Sequence, residues 1–119
     1  MEETPGKRFF DRQIALLAEQ DIDGIANQYA PDAVLVSFDV TRHGREEIRE
    51  HFVGYLAALG KIDLKSTDKW AETDDSIFFE ATVLTAHGEA HVYDVFLLRD
   101  GKATHHYTGL ISFTPFANQ

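Results

Sequence analysis

Residues 90–114 read AHVYDVFLLRDGKATHHYTGLISFT, two extended segments on either side of Asp100-Gly101. Asp-Gly between runs rich in Val, Phe, Tyr and Ile signals a hairpin, because the tight turns that match strand twist need residues tolerant of positive φ. Upstream, segments 63–72 and 77–86 have the same extended character and end at Asp74-Asp75 and His87-Gly88. Four such segments, roughly 63–72, 77–86, 90–99 and 103–114, predict an antiparallel meander.

The first half of the chain changes period. Between residues 7 and 20, Phe10, Ile14 and Leu17, flanked by Phe9 and Leu16, recur at helical spacing. Asp21 stands as the N-cap of a short second helix with Ile22, Ile25, Ala26 and Tyr29 on one face before Pro31. Residues 33–38, AVLVSF, suit a strand, and residues 42–44 a turn. From 44 to 59, Ile48, Phe52, Tyr55, Leu56 and Leu59 form an apolar stripe opposite Arg45, Glu46, Glu47, Arg49 and Glu50, with Gly60 as the C-terminal cap. Helices first and hairpin-linked strands after predict an α+β fold: three N-terminal helices packed on a curved, mostly antiparallel β-sheet. All 119 residues then form a single domain, 1–119.

Composition narrows the chemistry. With no cysteine, disulfides, thiolate metal sites and cysteine nucleophiles are excluded. Twenty acidic against eleven basic residues give a net charge of -9, which repels phosphate backbones and anionic bilayers, so neither nucleic acid nor membrane is an expected partner. No apolar run approaches the roughly 18 residues of a membrane span, and the start, MEETPGKR, places acids first and carries no signal-peptide pattern; the expected location is cytoplasmic. Histidines are numerous at six, yet no His-Glu-x-x-His or similar pair occurs, and His105 and His106 alternate faces, so no metal and no cofactor is expected. No Gly-x-Ser-x-Gly elbow or phosphate-cradling glycine motif is present.

In Val92, Asp94, Phe96 and Leu98, Asp94 is the one charge on its strand face. A carboxyl group among apolar neighbours is costly unless it is partnered, which marks Asp94 either as a functional group or as a structural acceptor for a helix end or a nearby Tyr. A histidine suits proton transfer at neutral pH, and His106 is the first candidate. If the Asp100-Gly101 loop has three residues and closes with a Gly bulge, His106 lies opposite Asp94; if it has two, Tyr107 does. Tyr29, Phe52, Trp70 and Phe96 are candidate liners of an apolar cavity. The opposite sheet face, with Tyr93, Val95, Leu97, Tyr107, Ile111 and Phe113, is too apolar for an isolated chain and predicts a homodimer through the sheet.

The order of these elements, with AEQDIDGI at 18–25, YAPDAV at 29–34, HGREEIREHF at 43–52 and LRDGK at 98–102, resembles the nuclear transport factor 2-like superfamily, and within it the SnoaL-like and ketosteroid isomerase-like group. The resemblance spans nearly the whole chain and implies a cone-shaped α+β barrel with one pocket. It places Asp94 on the aspartate that donates to the developing oxyanion in ketosteroid isomerases. Gln13 stands where those enzymes have a tyrosine, and Ser37 where they have the general base, so steroid isomerisation itself is not implied. The superfamily pattern also points His106, Thr108 and Leu110 inward. Val92 and Thr108 replace residues that the epoxide hydrolases of the superfamily require. The resemblance therefore implies a pocket for a hydrophobic small-molecule ligand, with Asp94, His106 and Gln13 as catalytic candidates and Ser37, Tyr29, Phe52, Trp70, Phe96, Thr108 and Leu110 as substrate-binding candidates. An isomerase, cyclase or dehydratase acting on a polyketide- or steroid-like carbonyl compound fits this set. A non-catalytic dimeric ligand-binding or protein-interaction module is the alternative.

Overall fold

The computed structural model describes residues 3–117. The elements run α1 (Pro5–Glu19), α2 (Ile22–Ala26), β1 (Tyr29–Val36), β2 (Thr41–His43), α3 (Gly44–Leu59), β3 (Asp63–Thr73), β4 (Ser76–Leu84), β5 (Gly88–Arg99) and β6 (Lys102–Pro115). One six-stranded sheet has the order β2-β1-β6-β5-β4-β3, antiparallel throughout except for the parallel β1–β6 pair. The helices cover one face of this curved sheet, as expected, but the sheet is open, with β2 and β3 as its edges, and does not close into a barrel.

Local chemistry explains the boundaries. The Thr4 side chain accepts a hydrogen bond from Lys7 N at 3.1 Å, which caps α1 with Pro5 in the first turn, and Gln20 stops it in the left-handed region. Asp21 caps α2 through Gly24 N at 2.9 Å. Tyr29, expected on the face of that helix, is instead the first residue of β1, and Pro31 lies within the strand. The segment expected to be only a turn holds the short strand β2, and Ser37 organises the hairpin before it, its Oγ accepting from Val40 N at 3.1 Å. The core lies between the helices and the sheet. Ile25, Tyr29, Leu35, Ile48 and Ile77 are fully buried there, each of the aliphatic ones contributing about 1.5–3 kcal/mol through burial.

The β5–β6 register settles which residues face that core. Arg99 pairs with Lys102, so the turn has two residues, and Asp100 (φ 54°) and Gly101 (φ 79°) both take the positive φ that such a turn requires. Carried unbroken, this register would set Tyr107 opposite Asp94. A bulge intervenes: Leu98 pairs with Ala103 but Leu97 with His105, which leaves Thr104 as the extra residue. Beyond it Asp94 faces Thr108 and Phe96 faces His106, so His106 is the diagonal neighbour of Asp94 on the concave side.

On the convex side, Phe78, Val95 and Tyr107 form a cross-strand row, with Leu97 one step along β5. Phe78, Leu97, Tyr107, Ile111 and Phe113 are all exposed there or toward the free end of β6. Tyr93 lies against Gly109, where a Cβ would come within 2.4 Å of the Tyr93 ring. No helix among the described residues is long and apolar enough to cross a membrane.

Candidate active site

Between α1, α3 and the concave face of the sheet lies a cavity of about 90 Å³, lined mainly by apolar side chains such as Phe10, Leu35, Phe52 and Val92. Its polar atoms come from Gln13, His51, Tyr55, Asp94, His106 and Thr108. Two of them are joined: His106 Nε2 lies 2.7 Å from Asp94 Oδ1, with the two side chains 6% and 13% exposed. The other ring nitrogen, His106 Nδ1, lies 2.8 Å from the hydroxyl of Tyr29, which is fully buried. Phe96 stacks on the imidazole with centroids 3.8 Å apart and planes at 20°, which fixes the ring orientation.

Proton directions follow from the connectivity. An Asp94 carboxylate only accepts, so His106 donates from Nε2 and leaves Nδ1 to accept from the Tyr29 hydroxyl. The amide of Gln28 donates to Phe9 O at 3.1 Å and toward Gln13 Oε1 at 3.4 Å. The donors Tyr29 and His106 thus both point toward Asp94. Both nitrogens of His106 are engaged, so the imidazole reaches the cavity's contents only through Asp94, whose second oxygen has no hydrogen-bond partner among the described residues.

Burial raises the Tyr29 phenol well above its ordinary range, the negative field of Asp94 raises it further, and the Gln13 hydrogen bond opposes both. Tyr55 is pushed up to about 12, first by burial of its hydroxyl and then by Asp94, although the residue as a whole is 36% exposed. His51 moves the other way: burial lowers it first, and the positive charge of Arg42 lowers it further. The cavity therefore holds a protonated phenol, Tyr55, within the field of a carboxylate.

This sequence matches the SnoaL-like domain family over residues 8–106. The chain belongs to the SnoaL-like family. No curated protein matches the sequence significantly. Among solved structures, it is similar to a proposed polyketide cyclase from Sinorhizobium meliloti (TM-score 0.74, 16% identity, covering 86% of this chain and 94% of that one). TerC co-crystallised with polyporic acid has a TM-score of 0.73 at 22% identity, covering 90% of this chain and 92% of that one. A nuclear transport factor 2-like protein from Burkholderia pseudomallei has a TM-score of 0.75 at 16% identity, covering 91% and 92%. At these identities the likeness is one of fold, and it places the SnoaL-like domain in the nuclear transport factor 2-like, ketosteroid isomerase-like architecture.

Of the site residues expected from sequence, the SnoaL-like domain brings Asp94, His106, Gln13, Phe52, Phe96 and Thr108 to the cavity wall. Tyr29 stands one layer behind, against His106. Three others lie elsewhere. Ser37 is a turn residue of the β1–β2 hairpin, its hydroxyl shared among Asp39 N, Val40 N and Val40 O. Trp70 packs behind the lining residues Phe10 and Phe79 and donates to Glu72 Oε1 at 3.2 Å. Leu110 is 61% exposed, because β6 continues past its last pairing with β1 at Tyr107 and no helix covers that stretch. Tyr55, which sequence periodicity assigned to the apolar stripe of α3, and His51 also line the cavity. Among the described residues no group of three or more His, Asp or Glu is arranged to hold a metal ion.

Proposed function

We propose that the cavity binds the carbonyl end of a hydrophobic small molecule and transfers a proton at the adjacent carbon, with Asp94 as the base. The observation that supports this reading is the Tyr29–His106–Asp94 chain, which orients one buried carboxylate and leaves its second oxygen available to the cavity. Asp94 takes the proton from the α-carbon. The C–H electron pair becomes the new C=C bond, the carbonyl π pair moves to oxygen, and that oxygen accepts a hydrogen bond from the Tyr55 hydroxyl. The proton then returns from Asp94 to another carbon, or the enolate carbon attacks a second carbonyl and closes a ring. Isomerisation, cyclisation and dehydration all share this first step. Gln13, a catalytic candidate from the sequence, has its amide oxygen engaged by Gln28, and the donor to oxygen in this scheme is Tyr55.

The structural similarity to a proposed polyketide cyclase and to a protein co-crystallised with polyporic acid supports a polyketide-like or aromatic ligand. A volume of about 90 Å³ admits only the reacting end of such a molecule; an apolar cavity that binds benzene measures about 150 Å³. That small volume is also the observation that favours the second reading, a non-catalytic ligand-binding module. Exchange of α-protons for deuterium in small methyl ketones, followed by NMR in D2O, separates the two: Asp94-dependent acceleration supports catalysis, and ketones that shift cavity resonances without exchanging support binding alone.

The exposed Phe78, Leu97 and Tyr107, in a row with the half-buried Val95, support a homodimer through the convex sheet face. Sedimentation equilibrium is expected to give twice the chain mass for the wild type and the chain mass for Tyr107→Glu; a monomeric wild type at 100 μM, roughly the upper range for a stable dimer, would rule the interface out.

A further inference from the structure

Outside the cavity an open groove of about 450 Å³ is lined by Val40, Arg42, Glu47, Glu50 and Gly54, together with His51 and Tyr55. His51 and Tyr55 also line the cavity, and their rings stack with centroids 5.8 Å apart. They are thus the wall that the two spaces share. The cavity alone is too small for a molecule with two reacting carbonyls, whereas cavity and groove together reach the several-hundred-Å³ range usual for ligand sites.

Arg42 is the cation of this groove. Among the described residues it has no carboxylate within 4.0 Å, and its Nε is shut off from solvent without an acceptor. A guanidinium left without a partner in a protein of net charge -9 is unusual, because its planar fork matches carboxylates and such pairs are strong. Two carboxylates line the same groove. Glu47 is already engaged by His43 N at 2.8 Å at the start of α3, and Glu50 is exposed to solvent. Their negative charges disfavour polyanions, phosphates included, and leave room for one compact anion on the guanidinium. Placing that anion outside the cavity also separates it from Asp94, which would repel it.

We propose that cavity and groove form one site for a monocarboxylate ligand, whose apolar, carbonyl-bearing end enters the cavity while Arg42 holds its carboxylate in the groove. The inference rests on the carbonyl-pocket reading above and adds the class of substrate. Its test uses 7-oxooctanoate, a slim methyl ketone with a carboxylate at the far end, and the neutral 7-oxooctanamide. Each is titrated by NMR into the full-length wild-type chain, Arg42→Gln and Arg42→Lys. The wild type is expected to bind the acid about tenfold more tightly than the amide, the effect of one charge-assisted contact. Both ligands should move the resonances of Phe96 and His106. Arg42→Gln should bring the acid to within about twofold of the amide, with amide affinity unchanged, and Arg42→Lys should recover most of the preference. Equal binding of acid and amide by the wild type, or a preference that survives Arg42→Gln, would overturn the assignment of Arg42; if the cavity resonances still shift, the carbonyl pocket stands without it. Failure of both ligands to move the cavity resonances overturns both.

Discussion

Asp94→Asn is expected to slow catalysed α-proton exchange of a ketone ligand by about 10²- to 10⁴-fold, the range of a positioned general base. The substitution is nearly isosteric. Its amide oxygen can still accept from His106 Nε2, which holds that hydrogen bond at 2.7 Å in the wild type, so the fold and the cavity should persist. The loss should fall on the catalytic rate rather than on ligand affinity, because in the proposed scheme the ketone is held mainly by apolar walls and the Tyr55 hydroxyl. A thermal melt and a ligand titration run beside the exchange assay make the distinction. Unchanged exchange in the Asn variant would remove Asp94 as the base, whatever the melt shows.

The largest stability effect is expected at Phe96. Its side chain is 2% exposed, stacks on His106 at 3.8 Å and meets Phe9 at 4.8 Å, so it joins helix, sheet and site. Phe96→Ala removes those contacts and enlarges the cavity behind Asp94, at a cost of about 3–5 kcal/mol. For a domain of this size that corresponds to a fall in Tm on the order of 10–20 °C. Phe38→Ala is the matched control: the same atoms are deleted from a side chain 95% exposed, and the change should stay within about 0.5 kcal/mol. A loss at Phe96 no larger than that at Phe38 would mean that the stacked cluster does not hold the site together. Denaturant melts of both variants measure the difference directly.

The contrast between these two phenylalanines shows what periodicity carries and what it does not. Helical spacing put Phe10, Ile14 and Leu17 on one stripe of α1 with Phe9 and Leu16 at its flanks, and the structure buries Phe9, Phe10 and Leu16 and leaves Ile14 and Leu17 partly buried; on α3 it placed Ile48, Phe52 and Leu56 on the buried face, because burial repeats with the backbone period. The turns at Asp74-Asp75 and Asp100-Gly101 marked the hairpins for the same local reason. The parallel β1–β6 pairing left no such trace, since it joins segments far apart in sequence, and β2 is three residues long, too short for a period to show. At the site, Asp94 stood out as a lone charge on an apolar strand face. The inward direction of His106 depended on a single bulged residue, Thr104, and a run reading Ala-Thr-His-His-Tyr does not say which residue will be extra. Tyr55 was hidden differently. An amphipathic stripe counts tyrosine as apolar surface, and only the three-dimensional placement of α3 brings its hydroxyl into the field of Asp94. Ser37 and Leu110 were carried toward the pocket by the family pattern, but the local hydrogen bonds of the β1–β2 hairpin and the uncovered end of β6 keep them out.

The orienting chain behind Asp94 can be observed without any substrate. Long-range ¹H–¹⁵N correlation spectra of the histidine rings report which nitrogen of His106 carries the proton. The Tyr29–His106–Asp94 arrangement predicts a proton on Nε2 and a free lone pair on Nδ1, with the Nε2 proton shifted when Asp94 is replaced by Asn and the Nδ1 resonance shifted when Tyr29 is replaced by Phe. A proton on Nδ1 with none on Nε2, or ring resonances indifferent to both substitutions, would contradict it.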